Sequence, residues 1–115
     1  MRYHRGEIVH ALTARIQGGV SHHTAIVVGD PYSVSSDLYI LAQVTSEDCH
    51  EKTDFQVPRD HDEFAQAGMA NSFIVRCHKL FTVHQRQIVQ KIGKVGPNTL
   101  AGVDQRIRLA LGLAS

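Results

Sequence analysis

An arginine and a histidine two positions apart on an extended chain can work on a phosphate together. Residues 73–83, FIVRCHKLFTV, set Phe73, Val75 and Cys77 in alternation with Ile74, Arg76 and His78, the period of a strand with two unlike faces. The β-branched and aromatic residues here suit a pleated, mostly buried surface. At ~3.3 Å rise per residue, Arg76 and His78 leave one face of such a strand about 7 Å apart. A permanent cation beside a group that titrates near neutrality suits phosphate chemistry. The same spacing also suits an ion-paired arginine and a packed histidine.

Ser21-His22-His23 follows the flexible turn Gln17-Gly18-Gly19. It is expected as a loop beside a rigid strand, a common place for binding chemistry. Two adjacent histidines are also ordinary surface residues. Glu7 opens an apolar run and reads equally as a solvated strand entry, and Thr45-Ser46 closes another run as a hydroxyl pair that can cap a turn. The spacing of His22, His23, His78 and His84 follows no zinc signature, so no metal site is expected.

The elements that must hold these side chains are short. Residues 6–12 form a first strand, with Ile8, His10 and Leu12 on one face. Residues 23–28, HTAIVV, are nearly all apolar, which predicts a strand buried on both sides. Gly29-Asp30-Pro31 turns the chain into a polar loop reaching Asp37, and residues 38–44 make a third strand. An acidic loop over residues 47–52 precedes Phe55-Gln56-Val57, a short strand stopped by Pro58. One helical turn over residues 60–65 is ended by Gly68. After the central strand a turn or short helix leads to a strand over residues 91–94. Asn98 is expected to cap an amphipathic helix over residues 99–112, with Leu100, Val103, Ile107, Ala110 and Leu111 inward and Asp104, Gln105, Arg106 and Arg108 outward. Five or more short strands and one terminal helix predict a mainly β fold, a small curved sheet or barrel with the helix on one side or end.

Composition narrows the class. With 115 residues, the chain has room for one domain over 1–115. Its 43% hydrophobic and 20% charged content reads as globular rather than disordered. No apolar run approaches ~18 residues, and the amino terminus lacks an apolar leader, so a cytoplasmic protein away from membranes is expected. Cys49 and Cys77 lack metal-type spacing and read as reduced thiols. Residues 1–60 carry five Lys/Arg against eight Asp/Glu, whereas residues 61–115 carry seven against three. A basic second half suits a polyanion.

A resemblance runs through nearly the whole chain. Arg5-Gly6-Glu7-Ile8, Thr24-Ala25-Ile26-Val27-Val28 and Val44-Thr45-Ser46 come in order. They are followed by Gly68 through Thr82 around Val75-Arg76-Cys77, then Lys91-Ile92-Gly93-Lys94-Val95 and Leu109-Ala110-Leu111-Gly112-Leu113. In this order and spacing the chain resembles the PemK/Kid–MazF toxins of bacterial toxin–antitoxin modules. The resemblance implies an SH3-like β-barrel with a carboxy-terminal helix, a homodimer, a cognate antitoxin partner and sequence-selective cleavage of single-stranded RNA. In that chemistry the 2′-hydroxyl attacks the adjacent phosphate and leaves a cyclic phosphate, with no cofactor and no metal. Arg76 falls at the family's catalytic arginine, and His22 or His23 approximates its loop histidine. Glu7, Thr45, Ser46, Phe55, Ser72 and Ile74 fall at or near its RNA site, where Phe55 would stack on a base. The chain departs from the pattern twice: His23-Thr24 stands where the family has Arg-Pro, and His78 stands where PemK/Kid-type members have aspartate. The alternatives are a barrel that binds nucleic acid or antitoxin without cutting, and a gyrase poison of the related CcdB type.

Overall fold

The computed structural model describes residues 2–30, 37–48 and 50–113. Six strands, β1 (Glu7–Ala14), β2 (Val20–Gly29), β3 (Leu38–Thr45), β4 (Asp54–Val57), β5 (Phe73–His84) and β6 (Ile88–Lys94), precede one helix, α1 (Pro97–Ala110). The strands pair antiparallel in the order β4-β5-β3-β2-β1-β6. Each apolar run becomes a strand because its side chains find cover on one or both faces of that sheet. Residues Ala25–Val28 of β2 are buried on both, as their unbroken apolar character requires.

One apolar cluster, with Ile8, Ile26, Val44, Phe73, Val75 and Cys77, lies on the helix side. The other, with Val9, Ala25, Val27, Tyr39, Leu41 and Val83, fills the opposite face. Fully buried Val103 enters the first cluster from α1, flanked by Leu100 and Ile107. Burial pushes the Cys77 thiol up to about 12. Cys49 and the loop residues 31–36 lie outside the described residues.

No ladder joins the two outer strands, β4 and β6, among the described residues. The chain between β4 and β5 bridges them instead, through a 3₁₀ turn at Ala65–Ala67 that lies against β6. Two glycines permit this approach. A Cβ at position 93 would sit 2.1 Å from the Ala67 carbonyl oxygen, and one at position 68 would sit 2.3 Å from that of Ile92. Gly68 also ends the turn in the left-handed region, at φ 73°.

Several expected boundaries move. Gly18 and Gly19, at φ 94° and 80°, reverse the chain so tightly that β1 and β2 pair from Ala14↔Val20 onward. Ser21, His22 and His23 therefore stand on a strand and not in a loop. The helical turn that follows Pro58 forms later than expected, at Ala65–Ala67 and not over 60–65. Gln85–Gln87 form the expected turn, and β6 starts at Ile88, earlier than position 91.

Asn98 is not the cap of α1. The helix opens at Gly96-Pro97, and the capping acceptor is Glu63, far away in sequence. Its Oε2 accepts from the Asn98 amide at 3.0 Å, and its Oε1 from the Thr99 amide at 2.7 Å and hydroxyl at 2.6 Å. Partial burial pushes the Glu63 carboxyl up, but these bonds and nearby His61 outweigh it and hold the carboxyl below its ordinary value. The outer face of α1 is also less solvated than its pattern predicts. Asp104 pairs with Arg5 at 2.5 Å, and Arg106 donates to the Lys52 and Asp54 carbonyls. Gln105 and Arg108 stay exposed.

Candidate active site

The centre of the sheet is interrupted where Arg76 and His78 lie. Gln43 of β3 pairs with Arg76, yet the preceding residue, Ala42, pairs with Leu80. Cys77, His78 and Lys79 are thus carried out of the β3–β5 ladder as a bulge, a device that re-aims side chains. On its other edge β5 keeps its partner: Arg76 pairs with Asp54, and the Cys77 amide donates to the Thr53 carbonyl at 3.2 Å.

This brings four side chains together. Arg76 Nε donates to Asp54 Oδ1 at 3.0 Å, and Arg76 Nη2 lies 3.3 Å from His78 Nε2. His78 Nδ1 is 2.5 Å from the Thr53 hydroxyl and 3.9 Å from Asp54 Oδ1. The Asp54 side chain is 2% exposed and that of Arg76 16%, whereas His78 reaches 33%. A buried carboxylate of this kind is tolerable only when paired, and the Glu51 amide completes its shell at 2.9 Å. Sequence reasoning finds Arg76 and His78 but misses Asp54 and Thr53. The signal for Asp54 would have been an acid directly before the short strand, on the parity that faces Arg76.

The other expected residues divide by strand face. His23 stands on the same face as Gln43, its Nε2 2.8 Å from the Thr13 hydroxyl and its ring 5.0 Å from that of Phe81. Partial burial, followed by neighbouring His10 and His22, lowers its pKa from 6.5. His22 points to the opposite face, as adjacent strand residues must, and its Nδ1 lies 3.1 Å from His10 Nε2.

Ser46, Ser72 and Ile74 share a hollow of about 320 Å³. Ser46 also borders a second hollow, of about 280 Å³, with Thr45, Gln43 and both His22 and His23, which meet at its edge although they leave opposite faces of β2. A third, about 290 Å³, continues past His23 and Gln43 to Lys79 and Phe81. The first two hollows share Ser46, and the last two share His23 and Gln43, the β3 partner of Arg76; Arg76 and His78 themselves line none of the three. Thr45 caps its own turn by accepting from the Glu47 amide at 3.1 Å, and the Ser72 hydroxyl accepts from the Arg59 amide at 3.0 Å.

Two residues lie outside these three hollows, although Phe55 borders a further one, of about 410 Å³, with Asp54 and Arg106. Phe55 sits under α1 with the Arg106 guanidinium 5.9 Å from its ring centre, so close to Gly102 that a Cβ there would lie 2.1 Å away. Glu7 is on β1, with β2 and β3 between it and β5, and it holds Lys91 at 3.1 Å and the His4 amide at 2.9 Å. Among the described residues no group of three or more His, Cys, Asp or Glu side chains is arranged to hold a metal ion. No described helix is long and apolar enough to cross a membrane.

A curved antiparallel sheet with one carboxy-terminal helix thus carries an arginine–histidine pair at a central bulge. Residues 4–111 match the model of the PemK-like, MazF-like toxins of type II toxin–antitoxin systems, and the chain belongs to that family. Among solved structures it is similar to the MazE–MazF complex of Deinococcus radiodurans, at 17% identity and TM-score 0.77 over 99% of this chain and 100% of that one. It is similar also to an endoribonuclease in complex with its cognate antitoxin from a mycobacterial species, at 15% identity and TM-score 0.71 over 96% of each chain. The Mycobacterium tuberculosis toxin MazF-mt6 aligns at 14% identity and TM-score 0.71, over 95% of this chain and 99% of that one. At such identities the likeness is one of fold. A comparison with curated protein sequences gave no match.

Proposed function

We propose that this toxin is a metal-independent endoribonuclease that cuts single-stranded RNA at selected sequences. The observation that carries the reading is the pairing of Arg76 Nη2 with His78 Nε2 at 3.3 Å, with Gln43, the β3 partner of Arg76, lining the hollows across the ladder. The arginine supplies a cation for the scissile phosphate. His78 Nε2 takes the proton of the 2′-hydroxyl as the O2′–P bond forms. The P–O5′ bond breaks, and the 5′-oxygen leaves with a proton delivered by His23 from the far wall, giving a 2′,3′-cyclic phosphate. Thr45, Ser46, Ser72 and Ile74 line the path of the flanking nucleotides.

The family match and the endoribonuclease–antitoxin neighbour support this reading. They support equally a cognate antitoxin that covers the groove, and a homodimer as the toxin's assembly. Purified protein incubated with a long RNA in EDTA tests the activity. Fragments ending in cyclic phosphate are expected, and intact RNA that nevertheless stays bound would make the protein a binder and not a nuclease. Light scattering showing only a 12.7 kDa species at micromolar concentration would remove the dimer.

A further inference from the structure

We infer that Thr53 and Asp54 are positioning residues for His78: Thr53 holds the proton of the neutral ring on Nδ1, opposite the Arg76 donor, and Asp54 ties the ring's protonation to the movement of Arg76. The structural part stands on geometry alone, and the catalytic consequence rests on the ribonuclease reading above.

A guanidinium has donors and no acceptor. His78 Nε2, 3.3 Å from Arg76 Nη2, must therefore accept, and the proton of the neutral ring belongs on Nδ1. There it meets the Thr53 hydroxyl oxygen at 2.5 Å. Thr53 is a fixed acceptor, because its own carbonyl takes the amide of Cys77, the bulge residue next to His78. The bulge and the end of β4 thus orient the imidazole from two sides, and they leave the Nε2 lone pair on the Arg76 side.

Protonation of Nε2 changes this arrangement. A donor would then face a donor, and two cations would stand in contact. Asp54, with Oδ1 3.9 Å from Nδ1 and 3.0 Å from Arg76 Nε, is the counter-charge to both. Because Asp54 anchors the guanidinium at Nε, relief comes from swinging the Nη end outward around that anchor. Outward is where a phosphate would lie. Uptake of the 2′-hydroxyl proton and delivery of the guanidinium to the developing phosphorane become one event.

The test uses the full-length chain labelled with ¹⁵N. Long-range ¹H–¹⁵N spectra of the His78 ring, recorded where it is neutral, should show the Nδ1–H tautomer. Thr53→Val leaves Nδ1–H without an acceptor, so the Nδ1–H population should fall as the ring turns away from Arg76, and Thr53→Ser should restore the parent spectrum. An Nε2–H ring in the parent, or a Thr53→Val spectrum identical to the parent's, overturns the inference. In RNA cleavage, Thr53→Val should lower kcat about 10²-fold, the scale of a small misplacement at a reacting group, with KM unchanged. Asp54→Asn that stays folded should lower kcat further, and kcat at or above the parent value would remove Asp54 from the role. Should Asp54→Asn fail to fold, the Thr53 variants carry the test. A parent with the Nδ1–H tautomer that leaves RNA intact supports the positioning and sinks the ribonuclease reading, so the two failures remain distinct.

Discussion

The Arg76 side chain has two loyalties, to Asp54 through Nε and to whatever meets its outer nitrogens. Arg76→Ala should lose about 3–4 kcal/mol of transition-state stabilisation, the scale of one oxyanion donor. His78→Ala should lose on the order of 10²–10⁴ in rate. Both are read from single-turnover cleavage, and an Arg76→Ala rate equal to the parent's would remove the arginine from the chemistry. His23 carries a pH prediction. Its pKa in the fold lies below 6.5, through partial burial and then His10 and His22, so the native state holds fewer protons than the unfolded chain in that interval. Its contribution to stability is complete above pH 6.5 and is lost as pH falls toward the lowered value. As the proposed acid, its protonated form fades as pH rises through that same value, so the alkaline limb of the rate should lie below 6.5. Denaturation midpoints and rates of His23→Gln across pH 5–8 check both slopes, which the variant should flatten. Alternation alone made Arg76 and His78 legible as a pair. Asp54 was not legible, because it meets Arg76 from 22 residues away through a ladder register that no local pattern records. Asp54 thus brings a carboxylate to Arg76 from a neighbouring strand.

At the scale of elements, α1 depends on a loop carboxylate. Glu63→Gln removes the charge that faces the first turn and should cost ~1 kcal/mol, the usual value of a cap. The Glu63 carboxyl titrates below its ordinary 4.5, so its stabilisation is present above that pH and is lost as pH falls through the lowered value. Urea titrations of parent and variant should therefore differ near neutrality and converge in acid. A gap that persists at pH 3 would point to packing as its origin. The helix itself was legible from Leu100, Val103 and Ile107, which recur at helical spacing. Its cap was not: Asn98 has the right chemistry at nearly the right place, but Pro97 starts the helix two residues earlier than expected and Glu63 reaches in across the fold. The paired histidines misled for a similar reason. Glycines before them suggested a loop, but those glycines only turn the chain back onto β1.

At the scale of the whole molecule, the outer strands are held together by a turn. Gly93→Ala drives a methyl into the Ala67 carbonyl, where backbone must give way. It should cost at least ~2 kcal/mol, lowering Tm by roughly 8 °C or more, as calorimetry would show. A near-parental Tm would mean that this contact contributes little to holding the sheet curved. A mainly β chain with one terminal helix was legible from periods and punctuation. Strand order was not: β5 lies between β3 and β4, and β1 between β2 and β6, pairings between distant segments that no local pattern records.

That order also governs how the toxin comes into being. β1 finds one of its two partners in β6, and the core around Phe55 and Val57 is covered by a helix that ends at Ala110. Most contacts join distant parts of the chain, which makes folding slow and holds it back until α1 has been made. Asp54 and Arg76 can leave the ribosome well before anything holds them in place. Nascent chains halted before Pro97 should be digested by protease, whereas the released chain resists. A growing polypeptide would then carry Arg76, His78 and Asp54 as separate side chains, and their cluster would assemble only as the helix docks.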